Sequence, residues 1–238
     1  MKPIYLLVDS RLLFWKQQGR LFLETVRRQL DSDRPKAAYI GASNGDEPEF
    51  YGIFEAAMEG IRIKDCRHIP STLTTDDEAF LNEADLILLA GGDVERGWRT
   101  FEANGLTEAI IRRYYEGALL MGISAGAVQL GWHGWSGDQP SSSTIFDTFK
   151  LVPFIVSVHQ EKNDWSDLKK AVELTDGIVR GIGIPTGGGL IYHEEHSVEP
   201  LMLPLYEVAM KDERITHSLI FPPSHETPVE VAGTEWIS

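Results

Sequence analysis

The sequence predicts an α/β protein built on a mainly parallel central sheet, and three observations carry that prediction. Apolar runs rich in leucine and β-branched residues recur at residues 4–8, 37–40, 86–90 and 118–123. Each is bounded by Gly, Asp, Ser or Asn, as buried parallel strands usually are. Between them lie stretches of helical period, which gives βαβα order. The third observation is bulk: 238 residues, 42% hydrophobic and 24% charged, suffice for one soluble globular domain spanning 1–238.

The elements follow in order. Residues 3–8 are expected to form the first buried strand. A secretory leader would need a longer apolar core and small residues at a cleavage site. Residues 12–30 repeat apolar side chains every three or four positions and predict a long first helix, with Phe14, Trp15, Leu21, Phe22 and Val26 as core packing. Strand 37–40 is followed by a helix over 50–58 and by a strand ending near His68, before Pro70. A helix over 76–83 has Thr75 as its expected N-cap. Strand 86–90 runs into Gly91-Gly92-Asp93 and then a helix from about Val94; a further helix covers 106–115. Strand 118–123 passes directly into a helical stretch at 125–130. From about 131, Gly, Ser and Pro predict a loop or short hairpin, followed by a helix over 164–173. Residues 178–184 and 190–193 are expected strands flanking a glycine turn at 187–189. Pro200, Pro204, Pro222, Pro223 and Pro228 punctuate the tail too often for long helices.

Composition removes whole classes of function. A formal charge of −14 leaves no basic stripe with which to displace counterions from nucleic-acid phosphates. Apolar runs fall short of the ~20 residues of a membrane-spanning helix. Cys66 is the single cysteine, so no internal disulfide forms and the cytoplasm is the expected compartment. Metal-ligand spacing, phosphate loops and dinucleotide fingerprints are lacking, so no metal or cofactor is expected; His193 and His196 in HEEH read as a polar turn.

The sharpest signal is Gly122-Ile123-Ser124-Ala125-Gly126, set between a buried strand and a helix. Small–x–nucleophile–x–small at such a junction is a nucleophile elbow. The turn is so tight that side chains at the flanking positions would clash, and it lifts the serine hydroxyl above the sheet. In an open parallel sheet sites form at the carboxyl ends of neighbouring strands. The Gly91-Gly92 turn is therefore expected beside Ser124, with the N–H groups of Gly92 and Ala125 available as an oxyanion hole. A serine nucleophile also needs a base. Of seven histidines, His159 follows the apolar run 154–158 and so falls at a strand's carboxyl end. Trp132, Trp135 and Trp165 cluster around these residues in sequence, more as filling beneath a loop than as pocket lining.

The runs LLAGGDVERGW, GISAGAVQLGW, LVPFIVSVH and GIVRGIGIPTGG together resemble the peptidase E (aspartyl dipeptidase) and cyanophycinase family of serine peptidases, over roughly residues 80–190. The specific parts are the serine motif and its spacing of 35 positions to His159, with Gly181-Ile182-Gly183-Ile184 following. The resemblance implies a three-layer αβα sandwich of the class I glutamine amidotransferase type (flavodoxin-like), with serine replacing the nucleophilic cysteine. It further implies a Ser124–His159 pair acting on short peptides, an oxyanion hole from Gly92 and Ala125, and a third, acidic member. Asp138, 14 positions after Ser124, is the nearest match to the dipeptidase spacing, with Asp147 and the more local Glu161 as alternatives. The chain departs from the family after G-I-G-I, where Pro185-Thr186-Gly187-Gly188 stands in place of acidic residues, so a preference for N-terminal aspartate does not carry over automatically.

Three other readings make different demands. An α/β-hydrolase esterase would place its histidine late, at His217 or His225. A glutamine amidotransferase would need a reactive thiolate, and Cys66 lies outside any elbow. A non-catalytic binding or regulatory module would keep the fold and leave Ser124 unreactive.

Overall fold

The computed structural model describes residues 1–17, 19–137 and 139–223. In chain order, the strands of its two larger sheets are β1 (Ile4–Leu7), β2 (Lys36–Ile40), β3 (Asp65–Ile69), β4 (Leu86–Leu89), β5 (Leu119–Ile123), β6 (Ile155–Val158), β7 (Gly181–Ile184), β8 (Gly189–Tyr192), β9 (Val198–Leu201), β10 (Leu205–Lys211) and β11 (Arg214–Ile220). The helices are α1 (Leu23–Arg28), α2 (Pro48–Gly60), α3 (Thr75–Glu83), α4 (Val94–Ala103), α5 (Leu106–Tyr115), α6 (Ala125–Leu130) and α7 (Ser166–Leu174).

The central sheet has the order β9-β8-β1-β5-β4-β2-β3. Its strands β1, β5, β4, β2 and β3 are parallel, and β8 and β9 extend the β1 edge antiparallel. Alternation within each strand sends side chains to both faces. Ile4, Leu6 and Val8 join one core with Phe80 and Leu81 of α3, Trp98 and Phe101 of α4, Ile110 of α5 and Leu130 of α6. Tyr5 and Leu7 join the other, with Val26 of α1 and Phe54 and Met58 of α2. Helices therefore cover both faces of a mainly parallel sheet, as the apolar runs predict.

Local chemistry sets the helix starts. Pro48 occupies the first turn of α2, where a missing N–H costs nothing. Thr74, one residue before the expected cap, closes a capping box on α3 with Asp77. Asp93 caps α4 by accepting from the Arg96 N–H at 2.7 Å.

The structure departs from the sequence expectation in two larger features, and its tail avoids long helices as expected. The long first helix is broken into a short 3-10 turn (Ser10–Phe14), a small hairpin pairing Lys16–Gln17 with Arg20–Leu21, and α1. Polar Lys16 and Gln17 followed by Gly19 favour a turn there; Phe14 ends up 45% exposed instead of in the core. The expected strand 178–184 shortens to β7, the expected strand 190–193 shifts by one residue to β8, and the two lie in different sheets. The tail forms strands: Pro200 is tolerated because β9 is an edge.

The second departure brings in a second sheet. β6, β7, β10 and β11 form a separate four-stranded sheet in that order, with β6 and β7 parallel. Leu168, Ala171 and Val172 of α7 pack on it together with Trp165, which is 5% exposed and stacked on Tyr206. The stretch after 131 is a short hairpin, His133–Trp135 against Ile145–Asp147.

Candidate active site

Ser124 is the residue between β5 and α6, and its backbone is strained, at φ 49° and ψ −107°. A non-glycine residue persists in such a conformation only where its surroundings force it, and such outliers cluster at functional sites. Here the forcing atoms are identifiable. A Cβ on Gly122 would lie 2.5 Å from the Gly126 carbonyl group, and one on Gly126 would lie 2.2 Å from the Leu89 oxygen. β5 and α6 therefore approach each other and β4 more closely than any side chain permits. The Ser124 N–H donates to Leu7 O at 2.8 Å and the Gly126 N–H to Ala90 O at 3.1 Å, tying the elbow to both flanking strands.

The Gly91-Gly92 turn lies beside Ser124 as expected: a Cβ on Gly91 would sit 3.3 Å from Ser124 Cβ. Gly92 has φ +135°, and a Cβ there would meet Ser43 O at 2.2 Å. Gly92, Ser124 and Ala125 line one cavity of about 390 Å³ with Asp93, Glu95 and Trp135. Ala125 opens a helix, so its N–H has no intrahelical acceptor. Ser157 and Gln160 line the same cavity, and the Ser157 hydroxyl and the Gln160 Oε1 are buried without a hydrogen-bond partner. Sequence reasoning missed both; the one signal was a serine interrupting the apolar run of β6.

On its other side Ser124 borders a second cavity of about 270 Å³, shared with His159 and Asp9 and walled by Leu13, Tyr39, Phe50 and Phe54. His159 follows β6 immediately, in left-handed conformation at φ 62°, and is exposed. Its Nδ1 lies 3.2 Å from the Thr186 hydroxyl. Asp9, at the end of β1, is held below the usual carboxylate range chiefly by hydrogen bonding from Arg11, with a smaller contribution from the charge of His159. Among the described residues no direct hydrogen bond joins Ser124 Oγ to His159; such contacts are often long before substrate binds.

The expected acid, Asp138, lies outside the described residues. Asp147 sits on the hairpin, with its carboxylate 3.1 Å from His133 Nδ1 and 2.7 Å from Lys150 Nζ. Glu161 is next to the base, and burial, which raises its carboxyl, is outweighed by hydrogen bonds from the Thr186 hydroxyl and from the backbone N–H groups of Glu161 and Thr186, so it is held low.

The remaining histidines have other surroundings. His68 stacks on Tyr51, His193 pairs with Glu199 at 2.7 Å, and His196 with the Tyr192 hydroxyl at 2.7 Å. His217, the late histidine of the esterase reading, stacks on Tyr206 in the second sheet; His225 lies outside the described residues. The Cys66 thiol is pushed up to about 11, first by burial and then by Glu55 and Asp65, and it stands on the edge strand β3. It is unsuited to be the thiolate of an amidotransferase. Of the tryptophans, Trp165 is buried in the core of the second sheet, Trp132 and Trp135 pack partly buried against it, and Trp135 also lines the serine cavity.

A serine held in a strained elbow at the carboxyl edge of a parallel sheet, sharing a cavity with a histidine, is the arrangement of a serine-type hydrolase. The family model of peptidase family S51 matches residues 14–199, and the chain belongs to that family. It is thus a serine-type peptidase. Two solved structures share the fold. One is a peptidase from an acI-B1 Actinobacterium, 16% identical, with a TM-score of 0.68 over 94% of this chain and 95% of that one. The other is a putative peptidase E protein from Listeria monocytogenes EGD-e, 18% identical, with a TM-score of 0.60 over 84% of this chain and 98% of that one. No curated protein matches the chain in sequence.

Proposed function

We propose that the protein hydrolyses short peptides, in the manner of a dipeptidase, with Ser124 as nucleophile and His159 as its general base. The observation that carries this reading is the strained backbone of Ser124 at a point where one cavity is shared with His159 and the other is lined by Gly92 and Ala125. In this mechanism the Ser124 hydroxyl attacks the scissile carbonyl while His159 takes its proton. The carbonyl oxygen gathers negative charge and is met by the N–H groups of Gly92 and Ala125. His159 then returns the proton to the leaving amine as the C–N bond breaks, and water releases the acyl group by the same route. The single cysteine fits a reducing, cytoplasmic setting.

The lining bears on the substrate. The two cavities carry carboxylates from Asp9, Asp93 and Glu95, and no lysine or arginine among the described lining residues. A substrate aspartate meets no lysine or arginine among the described lining residues, only the imidazole of His159, which can take up a positive charge. Uncharged or basic peptides suit the site better than aspartyl ones, and the apolar wall of Leu13, Phe50 and Phe54 suits an apolar side chain.

The test is labelling with a fluorophosphonate serine probe, read by intact mass, on wild type, Ser124→Ala and His159→Ala. One adduct on wild type, absent from Ser124→Ala and much slower in His159→Ala, is the expected result. A folded wild type that stays unlabelled would point instead to a binding module of the same fold.

A further inference from the structure

We propose that Thr186, backed by Glu161, is the positioning residue of His159, a hydroxyl standing where a catalytic triad usually sets a carboxylate directly against the imidazole. The proposal rests on the reading of Ser124 and His159 given above and adds a group that orients the base.

Strand register makes the arrangement possible. β6 and β7 are parallel neighbours in which Val158 faces Ile184. His159 is one residue past the end of β6 and Thr186 is two past the end of β7, so the two side chains emerge from one sheet edge. The left-handed turn at His159 (φ 62°) bends the chain back across that edge, and Nδ1 comes to lie 3.2 Å from the Thr186 hydroxyl oxygen. The same turn leads into a one-turn 3-10 segment, Glu161–Asn163, and the Thr186 hydroxyl and N–H are among the groups that hold the Glu161 carboxyl low.

The direction of the hydrogen bonds follows from donor and acceptor inventories. An ionised carboxylate only accepts, so the Thr186 hydroxyl proton points to Glu161. That leaves the lone pairs of Oγ1 as acceptors for His159 Nδ1–H. The tautomer is thereby set: Nδ1 carries the proton, and the Nε2 lone pair is available to Ser124. When Ser124 gives up its proton on forming the bond to the carbonyl carbon, the proton goes to Nε2. Nδ1–H is not transferred, and the positive imidazolium is stabilised by the hydroxyl oxygen and, through it, by the Glu161 charge. Asp9, already clamped by Arg11, is the other charged group that faces the imidazole, and it is unchanged in every variant below.

The experiment uses the full chain as wild type, Thr186→Val, Thr186→Ser, Glu161→Gln and Asp138→Asn, each checked for folding by thermal unfolding. Two readouts are taken: the second-order rate of fluorophosphonate labelling of Ser124 across pH, and the ¹⁵N signature of the His159 ring nitrogens. Thr186→Val keeps the shape and removes the hydroxyl. Because His159 and Thr186 are exposed, the expected loss is about 10- to 100-fold, at or below the lower bound of the ~10²–10⁴-fold that general acid–base catalysis contributes. The loss comes with a shift of the acidic limb to lower pH and with mixed tautomers in the ¹⁵N spectrum. Thr186→Ser restores rate and tautomer, and Glu161→Gln gives a partial loss. A wild-type labelling rate in Thr186→Val, with Ser124→Ala unreactive, overturns the relay and leaves the serine peptidase mechanism standing. So does a large loss in Asp138→Asn with Thr186→Val unaffected. If wild type itself resists the probe, the functional reading fails separately, and an unchanged His159 tautomer in Thr186→Val overturns the positioning role independently.

Discussion

Gly92→Ala tests the site's geometry most directly, because the clash it creates is with backbone. The added Cβ would sit 2.2 Å from Ser43 O, 2.4 Å from Ser43 C and 2.8 Å from Asn44 N. None of these atoms can rotate aside as a side chain would. The backbone at φ +135° is also one that an L-residue rarely adopts. Overpacking a tight site costs about 1–3 kcal/mol, and a forbidden dihedral costs a further ~1–3 kcal/mol. Taking the low end of each, the variant loses at least about 2 kcal/mol, or about 4 °C or more in Tm for a chain of this size. The turn is expected to relax by moving Gly92 away from Ser43, which displaces the proposed oxyanion donor from the cavity that Gly92 lines with Ser124 and Ala125. Loss of one oxyanion donor costs about 10²- to 10³-fold in rate. The assay pairs thermal unfolding with the fluorophosphonate labelling rate at 25 °C, where the variant remains folded. An unchanged Tm together with wild-type labelling would refute both the steric argument and the role of the Gly92 N–H.

Other expectations separate structural from catalytic roles. Thr74→Ala removes one half of the α3 capping box and should cost about 1 kcal/mol, visible in thermal unfolding with labelling unchanged. Asp147→Asn should leave labelling at the wild-type rate, because that carboxylate is taken up by His133 and Lys150; a strong loss would move the triad acid to the hairpin. His133 is pushed below its ordinary value mainly by burial, with Asp147 opposing. The unfolded chain therefore binds its proton more tightly than the folded one, and stability falls as pH drops through about 6.5. Unfolding midpoints measured from pH 8 to pH 5 should show that slope, and His133→Asn should flatten it.

Much of this protein could be read from its residues in order. Apolar runs of four to six residues bounded by Gly, Asp, Ser or Asn read as strands buried on both faces, which made β1, β2, β4 and β5 legible. Gly122 and Gly126 around Ser124 announced a turn that no side chain could enter, because the constraint is local. His159 was legible as the residue ending an apolar strand. Other features depended on what lies far away in sequence. The segment 12–30 has helical period, yet its polar middle folds as a hairpin, since Leu12, Leu13, Phe22 and Val26 reach the core without a continuous helix. β7 and β8 are separated by four residues but belong to different sheets, a choice made by their partners Ile155–Val158 and Ile4–Leu7 rather than by their own composition. The meeting of Thr186 with His159 across 27 positions and the unpartnered Ser157 hydroxyl in the cavity wall arise from strand register. Sequence by itself determined which segments are buried and where the chain must turn tightly, because burial and sterics act residue by residue. Only the tertiary structure decided which polar groups meet at Ser124, because hydrogen bonds depend on distances that strand pairing sets.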